Sequence, residues 1–184
     1  MDGTPHVCSA EHAGWLSTSL RKLVTNPERI LRGLVAEGDI AVDLGCGPGF
    51  FTLPLAGMVG ETGRVIAVDV QEGMLTKVRA RAEQAGLASR IDLCDCSPER
   101  IGLVGPADFA LAFWMLHEVP DQQSLLNEVY GMLKDGGRFL FVEPAGHVSA
   151  DRFRESIELA GKAGLFPIAT PRLAFSRAKL FVRR

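Results

Sequence analysis

The sequence predicts a doubly wound α/β fold, with a mostly parallel sheet covered by helices on both faces and closed by an antiparallel hairpin. Three observations carry this. Short β-rich apolar runs alternate with segments of helical periodicity, an alternation that calls for right-handed crossovers between parallel strands. The first run opens into a loop with glycine at every second position, "VDLGCGPGFF" from Val42 to Phe51. The last two runs, "LFPIATPRLAF" and "RAKLFVRR", lie too close together for a crossover helix and must return antiparallel.

A chain of 184 residues, 47% of them apolar, can bury one substantial core. A single domain over 1–184 is expected, with 1–37 as an N-terminal helical lid segment and 38–184 as the α/β core. In the lid segment Trp15, Leu16, Leu20 and Leu23 have helical spacing, and a second short helix begins near Pro27. Strands are expected at 39–45, 63–70, 90–96, 107–116 and 137–144. Residues 71–86 form the clearest helix, with Met74, Leu75, Val78, Ala82 and Ala85 on one face and Gly86 at its end. A helix after Asp121 carries Leu125, Leu126, Val129, Tyr130 and Leu133 and stops at "KDGG", and a third runs from Ser149 to Ala163, closed by Gly164. In the final run Ala178, Leu180 and Val182 alternate with Arg177, Lys179, Phe181 and Arg183, which predicts one buried and one mostly wet face.

The formal charge of -2 provides no global basic field, so nucleic acid is not an expected partner. No acid follows Glu158, while Lys162, Arg172, Arg177, Lys179, Arg183 and Arg184 remain; this reads as the solvated face of the hairpin. The opening "MDGTPHVCSAEHAGW" has no basic start followed by an apolar run, and no apolar segment reaches membrane-spanning length, so a soluble cytoplasmic protein is expected. Cys8, Cys46, Cys94 and Cys96 form no extracellular disulfide framework. Neither His6, Cys8 and His12 nor the Cys94 and Cys96 pair has a further ligand at metal-site spacing, and no metal is expected.

Strand, glycine loop and helix form the arrangement in which an open α/β sheet binds a nucleotide-like ligand at the carboxyl ends of its strands. Asp69 ends the second strand where a carboxylate can accept both hydroxyls of a ribose. Two ligands fit that far, a nicotinamide dinucleotide and S-adenosylmethionine. The dinucleotide fingerprint is G-x-G-x-x-G, but this loop is G-C-G-P-G-F, with Phe50 where the last glycine should stand. Asp43 at the loop entrance also suits a cationic ligand better than a pyrophosphate.

In five motifs in order, the chain resembles the class I S-adenosylmethionine-dependent methyltransferases, in particular their small type 11-like group. "VDLGCGPGFF" is similar to their first motif, "VIAVDV" to the second, "CDC" to the third, "FALAFWMLHEVPD" to the fourth, and "EVYGMLKDGGRFLFVEP" to the turn and strand of the fifth. The resemblance implies a Rossmann-like seven-stranded sheet of order 3-2-1-4-5-7-6, with S-adenosyl-L-methionine as cofactor and S-adenosyl-L-homocysteine as product. It also implies residue roles. The backbone of Gly45, Cys46, Gly47 and Gly49 would contact the methionine part, and Asp43 would place its amino group through water. Asp69 would hold the ribose, Asp95 the adenine N6 and the Cys96 amide N1, with Val70 and Met74 sandwiching the ring; Phe51 and Phe113 are further candidates for the cofactor site, with ordinary core packing as the favoured reading of Phe113.

On the acceptor side His117 is the candidate base, with an orienting or packing imidazole as the other reading. Trp114, His117, Glu143 and His147 lie at or beyond strand ends where an acceptor would sit, and Trp15 would close over it. Glu118 reads as facing solvent or capping the turn. A small-molecule acceptor is expected, and the N-terminal segment serves as a lid, as a homodimer contact or as both. A nicotinamide-dependent oxidoreductase and a non-catalytic cofactor-binding module with a protein partner are the rival functions.

Overall fold

A computed structural model describes residues 25–97, 101–102 and 105–184; Trp15, Cys8 and the rest of 1–24 lie outside them. In chain order the elements are α1 (Pro27–Leu31), β1 (Ile40–Leu44), α2 (Thr52–Met58), β2 (Arg64–Asp69), α3 (Glu72–Gln84), β3 (Ile91–Asp95), β4 (Ala107–Phe113), α4 (Gln122–Met132), β5 (Leu133–Pro144), α5 (Ala150–Lys162), β6 (Leu165–Ala169) and β7 (Ser176–Arg183). The strands form one seven-stranded sheet of order β3-β2-β1-β4-β5-β7-β6. Pairings are parallel from β3 to β5 and antiparallel for β7 with both β5 and β6.

Alternation along the central strands sends successive side chains to opposite faces. Phe109, Leu111 and Leu140 join Leu55 and Val78 on the side of α2 and α3. Ala110, Phe139 and Phe141 join Leu126 and Phe153 on the side of α4 and α5. Side-chain caps set where the helices after the strands begin: the Asp121 carboxylate accepts from the Ser124 amide at 3.0 Å, and the Ser149 hydroxyl from the Arg152 amide at 3.2 Å. Such caps satisfy amides that have no partner within the helix.

Three expectations are corrected. Phe181, placed on the wet face of the hairpin, is fully buried, its ring 6.0 Å from that of Phe139. The reason is topological, since β7 is an interior strand and its second face belongs to the same apolar cluster as Phe153 and Ala160 of α5. β5 starts at Leu133, so "KDGG" lies inside a strand, where the register against β4 shifts between Ala107 and Phe109. A side chain at Gly137 would meet the Lys134 carbonyl at 2.8 Å. β4 stops at Phe113 because Trp114 turns to a φ of 61°.

The basic C-terminal residues are not all solvated. The Arg183 guanidinium donates to the carbonyls of Tyr130 at 2.9 Å and Leu133 at 2.6 Å, fastening β7 to the end of α4. Arg177 does the same for the loop after β5, donating to the carbonyls of Ala145 and Val148.

Replacing Phe181 by Ala is expected to destabilise the fold by about 3–5 kcal/mol, the range for emptying a buried aromatic site. Phe166→Ala on edge strand β6, where the ring is 44% exposed, should stay within about 1 kcal/mol. Chemical denaturation of both variants checks the difference.

Candidate functional site

The loop after β1 is held from two sides. The Cys46 amide donates to the Val68 carbonyl of β2 at 3.0 Å, and the Gly47 amide to Asp69 Oδ2 at 2.8 Å. Asp69 Oδ1 accepts from the Gln71 amide at 2.9 Å, so one carboxylate organises both the glycine loop and the entry to α3. Gly45, Gly47 and Gly49 have φ values of 64°, 52° and 85°, where side chains are strained. They differ in what they approach. A Cβ on Gly47 would stand in open space, whereas one on Gly49 would meet Leu53 Cδ1 at 2.8 Å and Val78 at 3.3 Å. Gly47 therefore leaves its backbone open to the space beside it, and Gly49 lets the loop pack on the helices.

These groups border a cavity of about 310 Å³ at the carboxyl ends of β1, β2 and β4. Of the expected cofactor residues, Asp43, Gly45, Cys46, Gly47, Phe51, Asp69, Val70, Met74, Cys96 and Phe113 line it, as does Trp114 from the acceptor set. Asp43 is buried and accepts from the Thr52 hydroxyl at 2.6 Å. The rings of Phe51 and Phe113 lie 4.4 Å apart and those of Phe113 and Trp114 5.2 Å apart, an aromatic row along one side. The Trp114 indole donates to the Ser176 hydroxyl at 3.1 Å and its amide to the Val142 carbonyl at 2.8 Å, bonds that hold its left-handed backbone.

Other expected residues stand elsewhere. Gly49 faces the helices. Asp95 is exposed at the end of β3, opposite Asp69 in register, and does not line the cavity; β3 is an edge strand, so its terminal carboxylate meets solvent. His117, Glu143 and His147 do not line it either. The turn Leu116–Glu118 directs His117 toward β5, where Nδ1 lies 2.5 Å from Glu143 Oε2 and the His117 amide donates to Oε1 at 3.1 Å. Glu143 is buried beneath it, and the exposed His147 meets the His117 ring edge-on at 4.9 Å. Burial pulls the His117 pKa down, but the hydrogen bond and charge of Glu143, aided by Glu118, outweigh it and leave the pKa raised.

Met115, Glu118, Ile101 and Glu128 line the cavity without having been expected there. The signal for Glu118 was its place in "MLHEV", but which of two adjacent polar residues faces a cavity depends on a turn that no local pattern specifies. Burial, followed by the charges of Asp43 and Asp69, pushes the Cys46 thiol up; burial and Asp69 bring Cys96 to about 11. Both are protonated thiols at neutral pH. No group of three metal-ligating side chains occurs among the described residues, and no helix among them is long and apolar enough to cross a membrane.

The residues fit S-adenosylmethionine in chemistry: a carboxylate for ribose hydroxyls, a glycine cradle open to the cavity, a buried acid and an aromatic row beside it. Sheet order and glycine loop together give the fold of the class I S-adenosylmethionine-dependent methyltransferases. A model of the methyltransferase domain family matches residues 41–137, just over half of the chain, and the chain belongs to this family. The ubiquinone/menaquinone biosynthesis C-methyltransferase of Klebsiella pneumoniae is 30% identical over 110 residues, 59% of this chain and 44% of that protein. This chain thus matches less than half the length of such curated relatives. Among solved structures, a SAM-dependent methyltransferase from Aquifex aeolicus superimposes with a TM-score of 0.80 at 22% identity, over 89% of this chain and 93% of that one. The [4+2]-cyclase SpnF gives 0.68 at 21% identity, over 80% and 60%. At such identities the likeness concerns the fold.

The raised His117 pKa sets a pH signature. Pairing of the imidazolium with Glu143 stabilises the fold fully below the unfolded imidazole value near 6.5 and is lost as pH rises through the higher folded value. Glu143→Gln is therefore expected to cost about 1.5–3 kcal/mol at pH 5.5 and clearly less at pH 9. Thermal unfolding at the two pH values measures this.

Proposed function

We propose that the protein transfers a methyl group from S-adenosylmethionine to a compact small molecule, with a hydroxylated aromatic ring as the favoured acceptor class. The observation that carries this reading is a single cavity whose wall combines the Asp69 carboxylate and Gly47 backbone with the Phe51, Phe113 and Trp114 row. The aromatic row and Met115 favour a flat apolar acceptor, and the C-methyltransferase name of the curated relatives supports the same class.

Bound S-adenosylmethionine supplies an electrophilic methyl group on a positively charged sulfur. Asp69 accepts the ribose hydroxyls with the lone pairs its two backbone amides leave unused, and the open side of Gly47 admits the aminoacyl chain. Asp43 offsets the charge of the amino group. Val70, Met74 and Cys96 would enclose the adenine, and Asp95, exposed outside the cavity lining, would meet it only at the solvent edge. Faces of Phe113 and Trp114 favour positive charge and exclude water, so the protein's contribution is alignment in a dry site.

Calorimetric titration with S-adenosylhomocysteine is expected to show micromolar binding, and Asp69→Ala should weaken it about tenfold to a hundredfold through loss of a charge-assisted contact. Unchanged affinity would remove Asp69 from the cofactor site. Mass spectrometry after incubation with S-adenosylmethionine and a panel of hydroquinones should find a product heavier by one methylene. Cofactor binding with no such product would exclude that acceptor class.

A further inference from the structure

We propose that Glu118 takes the proton an acceptor gives up on methylation and that His117, clamped by Glu143, carries it from the cofactor cavity to a second cavity. The inference rests on the methyl-transfer reading above and adds the groups that manage its proton.

The second cavity, of about 370 Å³, lies between the loop after β4 and helix α5 and is polar, with His117, Gln122, Glu143, Arg152, Glu155 and Ser156 in its wall. Glu118 lines the cofactor cavity, whereas Val119 and Pro120 line both, so the partition between the two is a single turn of chain. His117 lies on the second-cavity side of that partition, next in the chain to Glu118. Both oxygens of buried Glu143 are directed at it, one to the amide at 3.1 Å and one to Nδ1 at 2.5 Å, which fixes the ring. Nδ1 is then the donor to Glu143, and Nε2 points toward Glu118 Oε1, 3.9 Å away. At 3.9 Å the two are within ion-pair distance, and the Glu118 side chain is 33% exposed.

The step balances as follows. In the transfer, the acceptor's oxygen or carbon would supply the electron pair of the new bond to the methyl carbon as its O–H or C–H proton is lost, and the pair of the broken C–S bond would stay on sulfur. The released proton goes to Glu118 and then to Nε2 of neutral His117. This forms an imidazolium facing the Glu143 carboxylate; its Nε2 proton then passes to water in the second cavity, which restores the neutral ring with its proton on Nδ1. The groups facing His117 are Glu143 from β5, Glu118 beside it, Arg152 from α5 and the edge of His147. Burial and Arg152 oppose its positive charge while Glu143 and Glu118 favour it, with a raised pKa as the result. The rate is expected to rise with pH as neutral His117 accumulates, with a midpoint above the ordinary imidazole range.

The test is histidine NMR titration of the S-adenosylhomocysteine-bound protein, the His117 signal being assigned by its loss in His117→Gln, alongside rates with hydroquinone acceptors. Glu118→Gln should lower the His117 titration midpoint. It should slow transfer about a hundredfold with S-adenosylhomocysteine affinity unchanged, and Glu118→Asp should restore part of the rate. An identical His117 titration in wild type and Glu118→Gln, or a Glu118→Gln rate within threefold of wild type, would overturn the proposal. If the wild type binds cofactor but methylates no hydroquinone, the acceptor class fails instead, and the titration alone decides whether the proton chain exists.

Discussion

The hydrogen bond from the Gly47 amide to the Asp69 carboxylate is the contact on which the site depends. It joins the loop after β1 to the end of β2, two strands already aligned in parallel from Ile40 and Arg64 to Leu44 and Val68. With the neighbouring Cys46 amide bonded to Val68, the loop has few ways to move. A carboxylate only 7% exposed would be costly without partners; here its two amides satisfy it and leave acceptor capacity directed into the cavity. Stability of the loop and the acceptor oxygens that the proposed ribose contact needs thus come from one residue.

On the other side of the cavity the constraint is the end of β4. Strand alternation would carry on past Phe113, but Trp114 takes a left-handed conformation that an aromatic residue adopts only when its surroundings hold it there. Its indole bond to Ser176 supplies part of that hold, and through it β7 supports a wall of the cavity. The antiparallel hairpin is therefore more than a closure of the sheet. Phe181 anchors it in the core, Arg183 ties it to α4, and Ser176 fixes the tryptophan.

The strands, the glycine loop and Asp69 were legible in the sequence because each rests on short-range pattern: apolar runs, glycines where φ is positive, and an acid at a strand end; the strand order came with the family resemblance. His117, expected on the acceptor side, lines the second cavity and not the one bordered by the glycine loop, because in a three-residue turn one step of chain rotates a side chain from one cavity to the next. Trp114 carries no glycine to announce its positive φ. Phe181 follows the alternation of a hairpin with one wet face, and only the position of β7 inside the sheet buries it. Asp95 fits a motif by sequence, yet β3 lies at the sheet edge, and its carboxylate finds solvent where the more central Asp69 finds amides.

Glu143 poses the remaining physical question. Taking a carboxylate and an imidazole out of water together costs several kcal/mol, and an apolar pair of similar volume would hold β5 to the turn after β4 at least as well. Stability alone does not account for such a pair. What an apolar pair could not do is hold one imidazole nitrogen while leaving the other aimed, across a single turn of chain, at a carboxylate in the cofactor cavity. The same burial that makes the pair expensive fixes the ring and strengthens the field of Glu143 on it. In the proposed relay, that field favours a proton on the His117 ring, beside the polar cavity.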